Sequence, residues 1–325
     1  MTRAALRWIA LGAGLLGLAV LSVALGAVRL PLGESLRALF GFGSPDTVTI
    51  VRVLRAPRLV LAVLVGAGLG MSGAALQGVM RNPLAEPYLL GVSGGAAVGA
   101  VIAVALGLAA AFVPVAAFAG AVVAVTVAFA VAQAAPGRGD ARVLLMAGVI
   151  VGAFANAAIM LLLANASPDT MRGALWWMMG SVAVAAWTQV AWLAGYVVIG
   201  GALLVAWGRE IDILALGEDA AAGLGLEADR AARRVYLTAS LLAAATVAAA
   251  GLVGFVGLVV PHIARRLGAG AHRGVILGSA LVGAALVLAA DLVARTALPP
   301  AELPLGAVTA VIGVPFFLVQ LRRLR

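Results

Sequence analysis

Residues 230–266 read RAARRVYLTASLLAAATVAAAGLVGFVGLVVPHIARR. From Val235 to Val260 there is no charge, and arginines bracket the stretch: Arg230, Arg233 and Arg234 before it, Arg265 and Arg266 after it. A hydrocarbon core of about 30 Å needs about 20 helical residues, so a plain count makes this one membrane span. Arginine clusters favour the cytoplasmic side, and a single crossing would place these two on opposite sides. A hairpin over residues 235–267, turning near Gly251 and Gly254, keeps both inside. Its second arm must be short, because about 30 residues rising 1.5 Å each cannot make two full spans. Short, glycine-broken segments at membrane depth persist only where protein buries them.

Outward from this stretch, apolar runs lie at 8–28, 59–80, 88–111, 112–135, 143–164, 187–207, 274–290 and 303–321. With the two arms of the hairpin they make ten elements. Arg3 and Arg7 mark the start of the chain, and Arg322, Arg323 and Arg325 mark its end. An even number of crossings then puts both termini inside. On that orientation fifteen arginines are cytoplasmic, Arg138 among them. Seven lie outside: Arg29, Arg37, Arg52, Arg55, Arg58, Arg172 and Arg295. This bias follows the positive-inside rule. The first run lacks a small-residue cleavage site and reads as a retained helix. The expectation is an all-α integral membrane protein of about ten transmembrane helices, forming one domain over residues 1–325.

Composition agrees. Hydrophobic residues make up 64% of the chain and charged residues 11%, against about 25% charged in soluble domains. All 22 basic residues are arginines, spread singly or in pairs between apolar runs, which is a topology pattern and not a nucleic-acid face. Without lysine there can be no GxxxxGK[ST] phosphate loop, so P-loop hydrolysis does not occur on this chain. Cysteine is absent and histidine stands only at 262 and 272, so no metal site or cofactor is expected. His262 has no second ligand near it in sequence. No GxSxG, HExxH or paired-carboxylate cluster appears, which speaks against an enzyme of membrane lipids. An ion-coupled carrier or channel is the alternative, but the spans between 59 and 164 hold no carboxylate, histidine or basic side chain, and such carriers depend on them. Asp291 stands four residues before Arg295 and can pair with it along a helix.

Two polar segments are long. Residues 165–186 are expected outside, with Trp176 and Trp177 at the interface. Residues 208–230 are expected inside and are the most acidic part of the chain. They hold a short helix around Asp219 to Ala222, stopped by Gly223 and Gly225. Gly66, Gly70 and Gly73, and likewise Gly91, Gly95 and Gly99, recur at spacings that let membrane helices approach closely. Asn82, Pro83 and Pro87 end one helix and start the next, and Glu86 is placed to cap that next helix. Arg52, Arg55 and Arg58, three residues apart, share a helix face.

Three strings carry a resemblance: GAGLGMSGAALQGVMRNPLAEPYLLGVSGGAAVGA at 66–100, GLVGFVGLVVPHIARRLG at 251–268 and ADLVARTALPPAELPLGAVTAVIGVPFFL at 290–318. In this order and at these distances the chain resembles the FecCD/BtuC-type permeases of ATP-binding-cassette importers, from about Arg52 to its end. The resemblance implies the type II importer permease fold and transport of a ferric siderophore, haem or cobalamin. It implies as partners a second copy of the chain as a homodimer, two cytoplasmic ATPase subunits and a periplasmic binding protein, in a bacterial inner membrane. It also implies binding-protein docking by Arg55 and Arg58 of the RAPR string and by Arg295. The acidic loop resembles the segment that seats on the ATPase: Glu218, Asp219, Ala220, Ala221, Gly223, Leu224, Gly225 and Leu226, with Ala221 on the seating face. Two departures stand out. Ala56 replaces the leucine of RLPR, and Ala271 replaces the aspartate of Gly-x-Asp-His-Arg. The string WWMMG at 176–180 leans towards the cobalamin branch.

Overall fold

The computed structural model describes residues 3–26, 28–136 and 141–322; Arg138, Arg323 and Arg325, assigned above to the inside, lie outside these. Among the described residues there are helices and no strand. In order they are α1 (Arg3–Ala24), α2 (Leu32–Leu39), α3 (Pro45–Thr49), α4 (Ala56–Val79), α5 (Val92–Ala105), α6 (Val113–Ala134), α7 (Ala141–Ala164) and α8 (Pro168–Met178). There follow α9 (Trp187–Ala206), α10 (Gly208–Leu214), α11 (Glu218–Gly223), α12 (Ala228–Ala250), α13 (Val256–Arg266), α14 (His272–Thr296) and α15 (Leu305–Arg322). A π-helical turn, Ile50–Arg55, joins α3 to α4. Among the described residues six segments are long and apolar enough to cross a membrane, ending at Ala24, Val79, Ala134, Ala164, Ala206 and Thr296; Val92–Ala105 and Leu305–Val319 are apolar but shorter.

The centre of the molecule is α4, buried almost without interruption from Leu61 to Val79. It can be central because its glycines let neighbouring backbones touch it. A Cβ on Gly66 would sit 2.1 Å from the Gly283 carbonyl oxygen, and one on Gly70 would sit 2.3 Å from that of Ser279. These contacts lay α14 along α4. Gly73 meets the Gly257 carbonyl in the same way, at 2.0 Å, and holds the start of α13. On the other side of the bundle Gly95 and Gly99 of α5 meet the carbonyls of Gly120 and Ala116 on α6. Without a hydrophobic drive between helices in lipid, such close contact is the main source of cohesion.

The long apolar stretch is broken as its length required. Helix α12 ends at Ala250, residues 251–255 are not helical, and α13 begins at Val256. Of the two glycines expected to turn the chain only Gly251 has a positive φ, +69°; the other reversal falls on Phe255, at +66°. The two arms pack extensively on α4 and far less on each other. The start of α13 lies beside Gly73, well inside α4, so α13 is a half-length helix ending near the N-terminal end of α1, where Arg7 Nη1 donates to the Arg266 carbonyl.

Polar side chains support this broken backbone. Tyr88 Oη accepts from the Val253 N–H and donates to the Val253 carbonyl. Glu86 Oε1 accepts from the Phe255 N–H at 3.0 Å. Glu86 therefore caps α13, and it makes no side-chain capping bond to the helix that follows it in sequence. Gln77 Nε2 donates to the carbonyls of Gly257 and Leu258, and its Oε1 accepts from Arg265.

Candidate functional site: an ionic lock at one end, a projecting helix at the other

At the end of α4 that carries Arg55 and Arg58, the three arginines expected as sockets are buried in the chain. Arg55 Nη1 donates to the carbonyls of Val23 and Ala24 at 2.6 and 2.8 Å, and Nη2 donates to that of Val28, so Arg55 closes the C-terminal end of α1. Arg58 Nε donates to Asp291 Oδ1 at 2.9 Å, while its two terminal nitrogens make a fork-to-fork pair with Glu302 at 2.8 and 2.9 Å. Arg295 donates to the carbonyls of Ser22 and Leu25, and its Nε lies 3.3 Å from Asp291 Oδ2. The pairing of Asp291 with Arg295 is as their spacing implied. Its extension to Arg58, 233 residues from Asp291 and 244 from Glu302 in sequence, is a product of the fold. The resemblance implies docking by these three residues, but carbonyls of α1 and carboxylates of α14 and its following loop already occupy these donors. Of the seven arginines expected on the outer side, Arg29, Arg37, Arg52 and Arg172 are exposed.

Segment 177–181 packs at the head of the broken stretch. Ser181 N–H donates to the Ala250 carbonyl, and the N–H groups of Leu305 and Gly306 donate to the carbonyls of Gly180 and Met179. The WWMMG string thereby ties together the end of α12 and the start of α15. Close packing against Leu252 and Met179 leaves no room for a side chain at Gly306.

At the opposite end stands α11. Glu218, Asp219, Ala220, Gly223 and Gly225 are exposed, and Leu224 is 63% exposed. Leu216, just before the helix, is 69% exposed. Ala221, in contrast, is 0% exposed and belongs to the main core, so the seating face expected around Ala221 is the inward one. The outward face is carried by Ala220, Gly223 and Leu224, with Leu226 half-buried. The error is one of phase: a six-residue helix has no amphipathic pattern long enough to show which side its parent structure covers.

Helix α11 is not loosely tethered. It follows α10, and α10 is fastened to the first turn of α14. Asp212 Oδ1 accepts from the His272 N–H at 3.0 Å and lies 2.6 Å from His272 Nδ1, and Gly208 sits against the backbone of Arg273. Asp212 thus caps α14 in place of the aspartate missing at 271. Glu302, Asp212, Tyr88 and Gln77 were not singled out in the sequence, because each acts on a partner remote along the chain.

The profile of the FecCD transport family matches residues 14–323. The chain is 44% identical over 284 residues to the cobalamin import system permease protein BtuC of Halobacterium salinarum, covering 86% of this chain and 76% of that protein. It is 36% identical to the hemin transport system permease protein HmuU of Yersinia pestis, covering 95% and 92%. A solved structure described as an inward-facing conformation of a metal-chelate type ABC transporter superposes with a TM-score of 0.87 at 28% identity, over 97% of this chain and 98% of that one. A helical bundle along glycine-faced α4, a broken membrane stretch and a family match that spans nearly the whole chain lead to one conclusion: the chain belongs to the FecCD transport family.

Proposed function

We propose that the protein is the permease subunit of an ATP-binding-cassette importer in a bacterial inner membrane, carrying a metal chelate or corrinoid into the cytoplasm. Ten membrane elements with both termini inside form each subunit. Two copies enclose the pathway, which opens alternately to either side as a two-state element. ATP is hydrolysed on separate cytoplasmic subunits, and a periplasmic binding protein delivers the substrate to the end that carries Arg29, Arg37 and Arg52. In this reading Arg55, Arg58 and Arg295 hold the docking surface from beneath.

The observation that carries the proposal is α11: a short helix outside the apolar spans, with Leu216 and Leu224 turned outward and its base bonded to α14 through Asp212 and His272. A helix with a small apolar face seats in a groove on a soluble partner. Movement of the seated helix passes through α10 to α14, and from α14 across its glycine contacts to α4. Leu224→Arg is expected to reduce ATP-dependent uptake in proteoliposomes at least 10-fold while leaving thermal stability and binding-protein affinity unchanged. Normal uptake by this variant would remove the coupling role from α11.

Cobalamin is the substrate favoured among the three chelate classes, on the 44% identity to a cobalamin permease against 36% to a hemin permease and on the WWMMG string. Uptake of cyanocobalamin and of haem by the same proteoliposomes separates the two.

A further inference from the structure

A groove of about 370 Å³ runs between α9 and α12. Trp192, Tyr196, Ile199 and Leu203 form one wall, and Thr238 and Leu241 face them. Trp192 and Tyr196 stand edge to face, with ring centroids 6.2 Å apart, and stiffen that wall. Gly195 lines the groove beside open space: a Cβ there would meet nothing within 4 Å. Its walls are apolar and both belong to helices packed along α4.

Length and polarity are informative together. From Trp192 to Leu203 an α-helix rises about 16 Å, close to half of a hydrocarbon core about 30 Å thick. The groove is therefore one leaflet deep. Its far end is polar. One turn beyond Leu203 lies Trp207, and the Arg234 guanidinium sits over the Trp207 ring at 5.3 Å. Arg230, Arg234 and Thr238 follow at four-residue spacing and share one face of α12. Arg234 gives Nη2 to Glu210, and its side chain is 42% exposed, open to a further acceptor. Arg209 and Arg233 are exposed nearby in sequence, against the acids Glu210, Glu227 and Asp229. An apolar slot of leaflet depth that ends at a tryptophan and a half-used guanidinium has the two parts that a phospholipid presents: an acyl chain and a phosphate. Guanidinium donors suit phosphate oxygens, tryptophan favours the headgroup level, and basic residues at a membrane surface attract anionic lipid.

We infer that the α9–α12 groove is a binding site for one anionic phospholipid, its acyl chain lying along Gly195 and its phosphate at Arg234. The site rests on the chain spanning a membrane. It depends on the proposed orientation only for the leaflet, which is then the cytoplasmic one, and it is independent of the substrate carried.

The test is native mass spectrometry of the full-length permease in mild detergent, with dioleoyl phosphatidylglycerol, dioleoyl phosphatidylcholine or glycerol 3-phosphate added. The wild type should retain one phosphatidylglycerol per chain, at least 3-fold in preference to phosphatidylcholine, and no glycerol 3-phosphate. Arg234→Gln should keep lipid but lose the preference. Gly195→Leu, which fills open space without meeting backbone, should lose both lipids. Phosphatidylglycerol with brominated chains should quench tryptophan fluorescence, and part of that quenching should vanish in Trp192→Phe. Equal retention of the two lipids by the wild type, undiminished retention by Gly195→Leu, or binding of glycerol 3-phosphate alone would each overturn the site. So would dissociation of a permease dimer by Gly195→Leu, which would make the groove a contact between copies. If Gly195→Leu fails to fold, Arg234→Gln and the quenching measurement decide the matter alone.

Discussion

Asp291 shows what a single residue does in this protein. It is 1% exposed and lies between Arg58 and Arg295. Three ionised groups taken out of water are tolerable only because they face one another and because carbonyls of α1 and Glu302 take the remaining donors. Removing the carboxylate leaves Arg295 buried without an acid partner and Arg58 with Glu302 alone, and breaking a buried pair costs about 3–5 kcal/mol. Asp291→Ala should therefore lower the thermal unfolding midpoint in detergent strongly. Arg52→Glu, at an exposed position of the same end, should leave the midpoint unchanged and weaken binding-protein affinity, more so at low ionic strength. Equal midpoints for wild type and Asp291→Ala would show the cluster to be loosely solvated. The Asp291–Arg295 pair was readable at i, i+4 spacing. Arg58 and Glu302 were not, because nothing local marks a partner more than two hundred residues away.

At the scale of elements, cohesion comes from backbone contact. A side chain on Gly73 would put Cβ 2.0 Å from the carbonyl oxygen of Gly257; neither backbone can yield without moving α13. Overpacking of this kind costs at least about 1–3 kcal/mol, so Gly73→Val should be markedly less stable than wild type. Gly12 on α1 is exposed and has nothing within 4 Å of its position for a Cβ. Gly12→Ala should be neutral or stabilising, by up to about 1 kcal/mol, through helix propensity. Thermal melts of the two variants side by side check both. The glycine repeat was legible as a packing signal. Its partners were not, since the period gives a face but not the helix that meets it. The same limit explains Ala221: composition and stop signals located α11, but only the neighbouring chain determined which side of so short a helix was covered.

For the whole molecule the testable property is the way it is threaded. Gly270 is exposed between α13 and α14. The chain has no cysteine, so Gly270→Cys provides a unique thiol. It should react with a membrane-impermeant maleimide in inverted vesicles and not in intact spheroplasts. Labelling from the periplasmic side would overturn the proposed orientation and with it the inner placement of α11. The break in the chain at 251–255 gives this experiment its structural basis, for an unbroken helix through Gly251 would put position 270 on the other side.

By itself the sequence determined that the chain is helical and apolar enough for a membrane, that it holds no phosphate loop, and that the stretch from Val235 to Leu267 must break. These follow from local quantities: hydropathy summed over a span, the absence of lysine, and a length that fits neither one crossing nor two. Only the tertiary structure decided that Phe255 shares the reversal with Gly251, that Glu86 caps α13, and that Asp212 replaces the aspartate missing at 271. It alone placed Arg58 and Arg295 inside an ionic cluster and Arg55 on the carbonyls that end α1. The reason is common to all of them. A buried polar group must find a partner, but the chain states only its demand; which distant group meets it depends on how the helices pack around α4.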